Sequence, residues 1–152
     1  MGELNIKDYS EVKHNDWNEY VYNHKNGNIF QTLMYLNMHN KSFGAIPFGF
    51  ALCDDDRIVG VVAGVIYQNY FFPINILTKR AVIIGGPLTD NDNAELIERL
   101  IRETDTFLKR KVVYIQFRNI TDLSGQKEVF EKTGFFYEEH LDIIHHLDQD
   151  VD

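Results

Sequence analysis

The run Val82-Ile83-Ile84-Gly85-Gly86-Pro87-Leu88 constrains this chain more than any other stretch. Consecutive β-branched apolar residues read as a strand buried on both faces, the glycines permit a sharp change of direction, and a helical pattern follows. A strand that passes through glycines to a helix N-terminus belongs to an α/β architecture. It is also a place where backbone N–H groups and the helix dipole can hold a phosphate. Pro87 has no N–H to offer. The geometry of a phosphate cradle is therefore expected with part of its hydrogen-bonding equipment missing.

The helix expected over 92–110 puts Ile97, Leu100, Ile101, Thr104 and Leu108 on one face, with Glu95–Arg99 and Glu98–Arg102 as i, i+4 pairs on the other. Asp90 to Asn93 offer its N-cap. Upstream, Leu4 to Lys7 read as a short strand, and Asn15 or Asp16 caps a helix carrying Trp17, Tyr20 and Val21. Thr32 opens a second helix with Leu33 and Leu36 inward, ending by Phe43-Gly44. Phe48, Phe50 and Leu52 alternate along a strand that turns at Asp54-Asp55-Asp56 into Ile58 to Val62, a hairpin. Tyr70 to Leu77 and Ala81 to Ile84 supply further strands. Val112 to Phe117 form another, Leu123 to Lys132 a helix closed by Gly134, and Phe135 onward a last strand with Leu141, Ile143, His145 and Leu147 on one face. This order predicts an α/β fold with a mixed sheet, antiparallel at first and completed by a late β-α-β crossover, with helices on both faces.

With 152 residues, 44% of them hydrophobic, one core is the expectation: a single domain over 1–148 and an acidic tail over 149–152. The net charge of -8, from 15 Lys and Arg against 23 Asp and Glu, opposes non-specific binding to nucleic acid or anionic membranes. The one cysteine, Cys53, lies in a strand pattern and excludes an internal disulfide or a cysteine metal cluster. His145-His146 point to opposite faces of a strand, so no metal site is expected. No apolar run has the ~18 residues of a spanning helix and no basic leader precedes one, so a cytoplasmic protein without a transmembrane segment is expected.

The element order resembles the acyl-CoA N-acyltransferase fold of the N-acetyltransferase (GNAT) superfamily over essentially the whole chain. Phe130-Glu131-Lys132-Thr133-Gly134-Phe135 is similar to that superfamily's late Tyr-Glu-Lys-x-Gly-Phe motif, with Phe130 where a tyrosine protonates the departing coenzyme A thiolate. A phenyl ring donates no proton. Ile84-Gly85-Gly86-Pro87-Leu88-Thr89-Asp90 also departs from the coenzyme A loop, so the resemblance disfavours acetyl-CoA as cofactor.

A closer resemblance is to the first domain of the FemAB-like peptidyl and aminoacyl transferases, which build cell-wall cross-bridges with two such domains in tandem. Trp17 to Val21 before Phe30-Gln31-Thr32, the Gly85-Gly86-Pro87-Leu88 turn, and Gly134-Phe135 ending in Ile143 to Leu147 carry it. It implies substrate contacts at Gln31, Thr32, Tyr35, Gly85 and Gly86, and sets His39 at or beside the position where those ligases use a lysine for a phosphorylated precursor. From their positions, Arg80 entering the central strand is a candidate for an anionic substrate, and Arg118-Asn119 end the late strand, where ligands of open α/β sheets gather. Several of these residues have a structural alternative. Thr32 also fits an N-cap, Arg80 a solvated strand end, and Arg118-Asn119 bonding to the following loop. The sequence identifies no catalytic residue. It expects a small-molecule or precursor substrate, and either a second domain or a second copy completing the site. The alternatives are a divergent GNAT N-acetyltransferase and a non-catalytic half-length binding domain.

Overall fold

The protein is described by a computed structural model over residues 4–68 and 78–138. Its strands are β1 (Leu4–Asp8), β2 (Ala45–Asp54), β3 (Arg57–Tyr67), β4 (Arg80–Ile84), β5 (Leu88–Thr89) and β6 (Tyr114–Arg118). Its helices are α1 (His14–Asn23), α2 (Leu33–Asn40), α3 (Ala94–Leu108) and α4 (Lys127–Lys132). One sheet runs β1-β2-β3-β4-β6, with β5 also on β3. The pairs from β1 to β4 are antiparallel and β4–β6 is parallel. The mixed sheet expected from the sequence is thus present.

The hairpin β2–β3 is apolar on both faces because both are covered. Trp17, Val21, Leu33 and Leu36 of α1 and α2 pack on Ala51, Cys53, Val61, Ala63 and Leu88. Against the opposite face, Leu100 and Leu108 of α3 meet Phe48, Phe50, Leu52, Val62, Ile66, Ala81 and Ile83. Residues of β2 therefore alternate between two cores, as a pleated strand requires. A register shift at Leu52/Cys53 and the left-handed Asp55 (φ 54) complete the turn. Phe130 brings α4 beside α3 through Ile97 and Ile101.

The buried residues of α3 are the five that the helical spacing selects. Thr104 is tolerated there because its hydroxyl donates to Leu100 O at 2.8 Å. Asn93 serves as N-cap, and Glu98 pairs with Arg102 at 2.8 Å. Arg99 turns instead to Leu4 O at 2.6 Å, tying the helix to the edge strand β1. Helix α1 starts at His14 without a side-chain cap, because Lys13 occupies the capping position. A 3₁₀ turn at Ser124–Gln126 takes the beginning of the helix expected from Leu123, leaving α4 only Lys127–Lys132. Gly134 (φ 91) closes α4: its N–H donates to Glu131 O and that of Phe135 to Phe130 O, both at 3.0 Å.

No strand begins at Phe135, since residues 135–138 carry none. Its N–H belongs to the helix cap and its ring packs edge-on to Phe117 at 5.0 Å. The expected strand at 70–77, the face from Leu141 to Leu147 with His145-His146, and the tail lie outside the described residues. No helix among the described residues is long and apolar enough to cross a membrane.

Candidate functional site

The Gly85-Gly86-Pro87 segment does not lead straight into a helix. Val82 pairs with Val65 and Leu88 with Val61, so six steps along one strand oppose four along β3, and two extra residues must bulge out. Gly85 and Gly86 take φ values of 89° and 68° there. Gly85 N–H continues the parallel ladder to Arg118 O at 2.8 Å. Both glycine carbonyls are met by Gln31, whose Nε2 donates to Gly85 O at 3.1 Å and to Gly86 O at 2.9 Å. Gln31 Oε1 accepts from Asn28 N at 3.0 Å and Asn28 Nδ2 at 2.7 Å. The Gln31 backbone carbonyl accepts from Trp17 Nε1 at 2.8 Å. Gln31 is 0% exposed with its amide group fully engaged. A Cβ on Gly85 would collide with Asn28 Nδ2, so the glycine is needed for space as well as for backbone conformation.

The N-terminus of α3, where this topology would hold a coenzyme A pyrophosphate, is closed. Asn93 Oδ1 accepts from the N–H groups of Glu95 at 2.9 Å and Leu96 at 3.3 Å. Just ahead, Asp90 accepts from Tyr20 OH at 3.1 Å and pairs with Arg57 at 2.7 Å, and Asp92 pairs with Lys25. Burial, then the adjacent Asp90 carboxylate, pushes the Tyr20 phenol far above its ordinary value. Occupied amides, two carboxylates and the missing Pro87 N–H do not fit a pyrophosphate.

The other face of β4 and β6 carries a polar row, Arg80, Tyr114, Gln116 and Arg118, around Val82, which is buried. Ala81, Ile83, Ile115 and Phe117 face α3, so the alternate residues of β4 and β6 face the side of α1 and α2. The parallel register sets Arg80 beside Tyr114, Val82 beside Gln116 and Ile84 beside Arg118. Arg80 Nη1 donates to Tyr114 OH at 3.4 Å and Arg118 Nε to Gln116 Oε1 at 3.2 Å. Tyr67, paired with Arg80, extends the row into β3. Helix α2 contributes Tyr35 and His39, with ring centroids at 4.6 Å from Tyr35 to His39 and 5.8 Å from His39 to Tyr67. Burial and a hydrogen bond with Tyr67 push the Tyr35 phenol up to about 12. Burial alone pushes the His39 imidazole down, so it is neutral near pH 7, and its buried Nδ1 has no partner among the described residues. Arg80 and Arg118 mark the two ends of this shelf, ~13 Å apart at the strand rise.

The carboxyl end of the shelf abuts the connection from β6 to α4, where ligands gather on open α/β sheets. Asn119 Oδ1 lies against the bulge, 3.0 Å from where a Cβ on Gly86 would be. Asn119 Oδ1, Thr121 Oγ1 and Gln126 Oε1 are buried without a hydrogen-bond partner among the described residues. A buried acceptor left unpaired costs about 1 to 3 kcal/mol. The shelf thus offers cations for an anion and rings for packing.

Of the residues selected from sequence, Tyr35, Arg80, Arg118 and Asn119 come together along this shelf, with Gly85 and Gly86 at its carboxyl end. Gln31 and Thr32 lie beneath it. Thr32 is 0% exposed, accepts from Tyr35 N at 3.3 Å as the α2 cap and donates to Ile29 O at 2.7 Å. Tyr114, Gln116, Thr121 and Gln126 were not selected. For Tyr114 and Gln116 the signal was present, since polar residues alternate with Ile115 and Phe117 through β6. Phe130 is 3% exposed, packed with Phe117 at 5.1 Å, and lies in the core.

No family model matches this chain, and no curated protein matches it. Solved structures do. A transcriptional regulator from Bacillus halodurans C-125 is similar at a TM-score of 0.63 and 14% identity, over 95% of this chain and 100% of the other. An aminoglycoside antibiotic 6′-N-acetyltransferase from Acinetobacter baumannii gives 0.63 at 12% identity, over 95% and 98%. FemX gives 0.68 at 16% identity, over 84% of this chain but 31% of FemX. At these identities the likeness establishes the fold: this is a GNAT-like acyltransferase fold in one domain.

Proposed function

We propose that this domain transfers an aminoacyl or other acyl group from an activated ester to an amine of a cell-wall or sugar precursor, in the manner of FemAB-like transferases and without acetyl-CoA. The observation that carries this is the pair formed by the α3 N-terminus, whose amides Asn93 already holds, and the Gly85-Gly86 bulge anchored by Gln31. The fold keeps its interrupted strand while lacking a place for a pyrophosphate. In the reaction the amine nitrogen attacks the ester carbonyl, a C–N bond forms, the ester C–O bond breaks, and the proton lost by the amine ends on the departing alkoxide. Proton demand is thus internal, and positioning carries most of the work. Arg80 and Arg118 hold anionic groups of the precursor, and neutral His39 stands ready to relay the proton.

The test is product formation followed by mass spectrometry, with 3′-O-alanyl-adenosine or acetyl-CoA as donor and an amino-sugar phosphate as acceptor. The reading expects amide product from the ester alone, reduced at least tenfold by Arg118→Ala. Product from acetyl-CoA alone would replace it with the N-acetyltransferase reading. That second reading has one observation of its own: a groove of about 450 Å³ beside α1, lined by Asp16, Glu19, Asp56 and Asp90 together with Tyr20, His24 and Arg57, whose excess of carboxylates suits a cationic acceptor.

A further inference from the structure

We infer that the protein carries a second binding site, on the α3 face of the sheet, for an organic anion: a carboxylate or phosphomonoester borne on an apolar body. The site is a cavity of about 410 Å³ at the start of β4 and the end of α3, lined by Ile46, Ile66, Phe107, Val112 and Val113 and by three cations, Lys79, Arg110 and Lys111. That volume is within the range of about 300–1,000 Å³ usual for small-ligand pockets. Among the described residues no acidic side chain lines it.

The charge is uncompensated. Lys7, Lys25, Arg57, Arg102, Lys127 and Lys132 each pair with a carboxylate, whereas Lys79, Arg110 and Lys111 form no ion pair among the described residues. In a chain of net charge -8, three unpaired cations around one cavity make a local positive field that concentrates anions. The negative end of the α3 dipole opposes this, but only by a partial charge.

The floor is apolar and firm. Phe107 packs on Phe48 and Phe50 with centroids at 5.7 and 5.3 Å, and Lys111 Nζ sits 3.3 Å from the centre of the Phe107 ring. Ile46 and Val113 are 45% and 59% exposed, so the apolar lining is reachable. Val113 N–H donates to Lys79 O at 2.8 Å, and Lys111 N–H to Leu108 O at 2.8 Å, which fixes the backbone carrying the cations. Arg110 holds φ 66 to make the turn. A hydrophobic floor under a cationic rim matches an amphipathic anion better than a bare ion. Arg80, the next residue after Lys79, faces the opposite side of the sheet, so this site is separate from the shelf and does not depend on the function proposed for it.

The probe is 1-anilinonaphthalene-8-sulfonate, an anion on an aromatic body, titrated by fluorescence on the full chain. The inference expects saturable one-to-one binding that weakens with added salt and is displaced by dodecanoate or by adenosine monophosphate, the two competitors separating an aliphatic carboxylate from an aromatic phosphomonoester. Arg110→Gly/Lys111→Ala should weaken binding at least tenfold, and Arg118→Ala should leave it unchanged. Arg110→Gly relieves a left-handed backbone, so this variant keeps its fold, checked by its melting temperature. Undiminished binding in the double variant, or displacement by neither competitor, would overturn the inference.

Discussion

Replacing Gln31 by glutamate changes one atom at the most connected side chain of the domain. The Nε2 that donates to Gly85 O and Gly86 O becomes an oxygen facing two carbonyl oxygens, in a site that is 0% exposed. Leaving each buried carbonyl without its donor costs about 1 to 3 kcal/mol. Summed over the two carbonyls this is about 2 to 6 kcal/mol, and with the repulsion added Gln31→Glu should lose at least that at pH 8, a large share of the roughly 5–15 kcal/mol that hold a domain together. Burial against carbonyl oxygens disfavours the charged form and raises the new carboxyl above its ordinary value of about 4.3. The protonated form is therefore favoured in the folded state. Stability is retained below the unfolded value and lost as pH rises through the folded one. The variant should recover at pH 4.5 by about 1.4 kcal/mol for each tenfold gain in proton affinity that folding gives this carboxyl. Urea titrations at pH 4.5 and 8 can be followed by Trp17, the only tryptophan, which is buried and bonded to the Gln31 carbonyl. A loss below about 0.5 kcal/mol at both pH values would show that Gln31 does not hold the bulge, since that is the scale of a surface substitution.

Three further outcomes follow from the same geometry. Gly85→Ala meets Asn28 Nδ2 and adds a side chain at φ 89, so its melting temperature should fall by an amount equivalent to more than about 2 kcal/mol. Phe130→Tyr restores the tyrosine of the acetyltransferase motif but buries its hydroxyl among Ile97, Ile101, Phe117 and Phe135. It should lose about 1 to 3 kcal/mol in denaturant and gain no acetyl-CoA-dependent turnover. For His39, burial lowers the folded value, so the unfolded chain binds more protons below the ordinary value of about 6.5. Its contribution to stability is complete above that value and declines as pH falls through it. His39→Gln should flatten the slope of urea midpoints between pH 7.5 and 5.

What the sequence showed was local and periodic. The inward face of α3 follows from 3.6-residue spacing, the Gly134 cap from a glycine after a helix, and the β2–β3 hairpin from alternation around an acidic turn. What it could not show was pairing at long range. Gly-Gly-Pro signals a break in a strand, but only the return of Leu88 to Val61 tells a bulge from a departure into a helix. Gln31 resembled a substrate contact, and nothing local reveals partners 54 and 55 residues away. Arg80 and Arg118 were legible as strand-end cations, while their placement on one shelf depends on the register of a parallel pair 34 residues apart. The three acceptors after β6 that lack a partner among the described residues are a property of packing alone.

The central claim, an acyltransferase fold whose cofactor cradle is closed, is tested most directly by acetyl-CoA itself. Thermal unfolding with acetyl-CoA at a hundred times a plausible dissociation constant would stabilise a true binder by about 2.7 kcal/mol. No shift is predicted, for the native chain or for Phe130→Tyr. A saturable rise in melting temperature that survives high salt would contradict the account, because it would place a coenzyme A pyrophosphate where Asn93 already holds the Glu95 and Leu96 amides and Asp90 and Asp92 add negative charge.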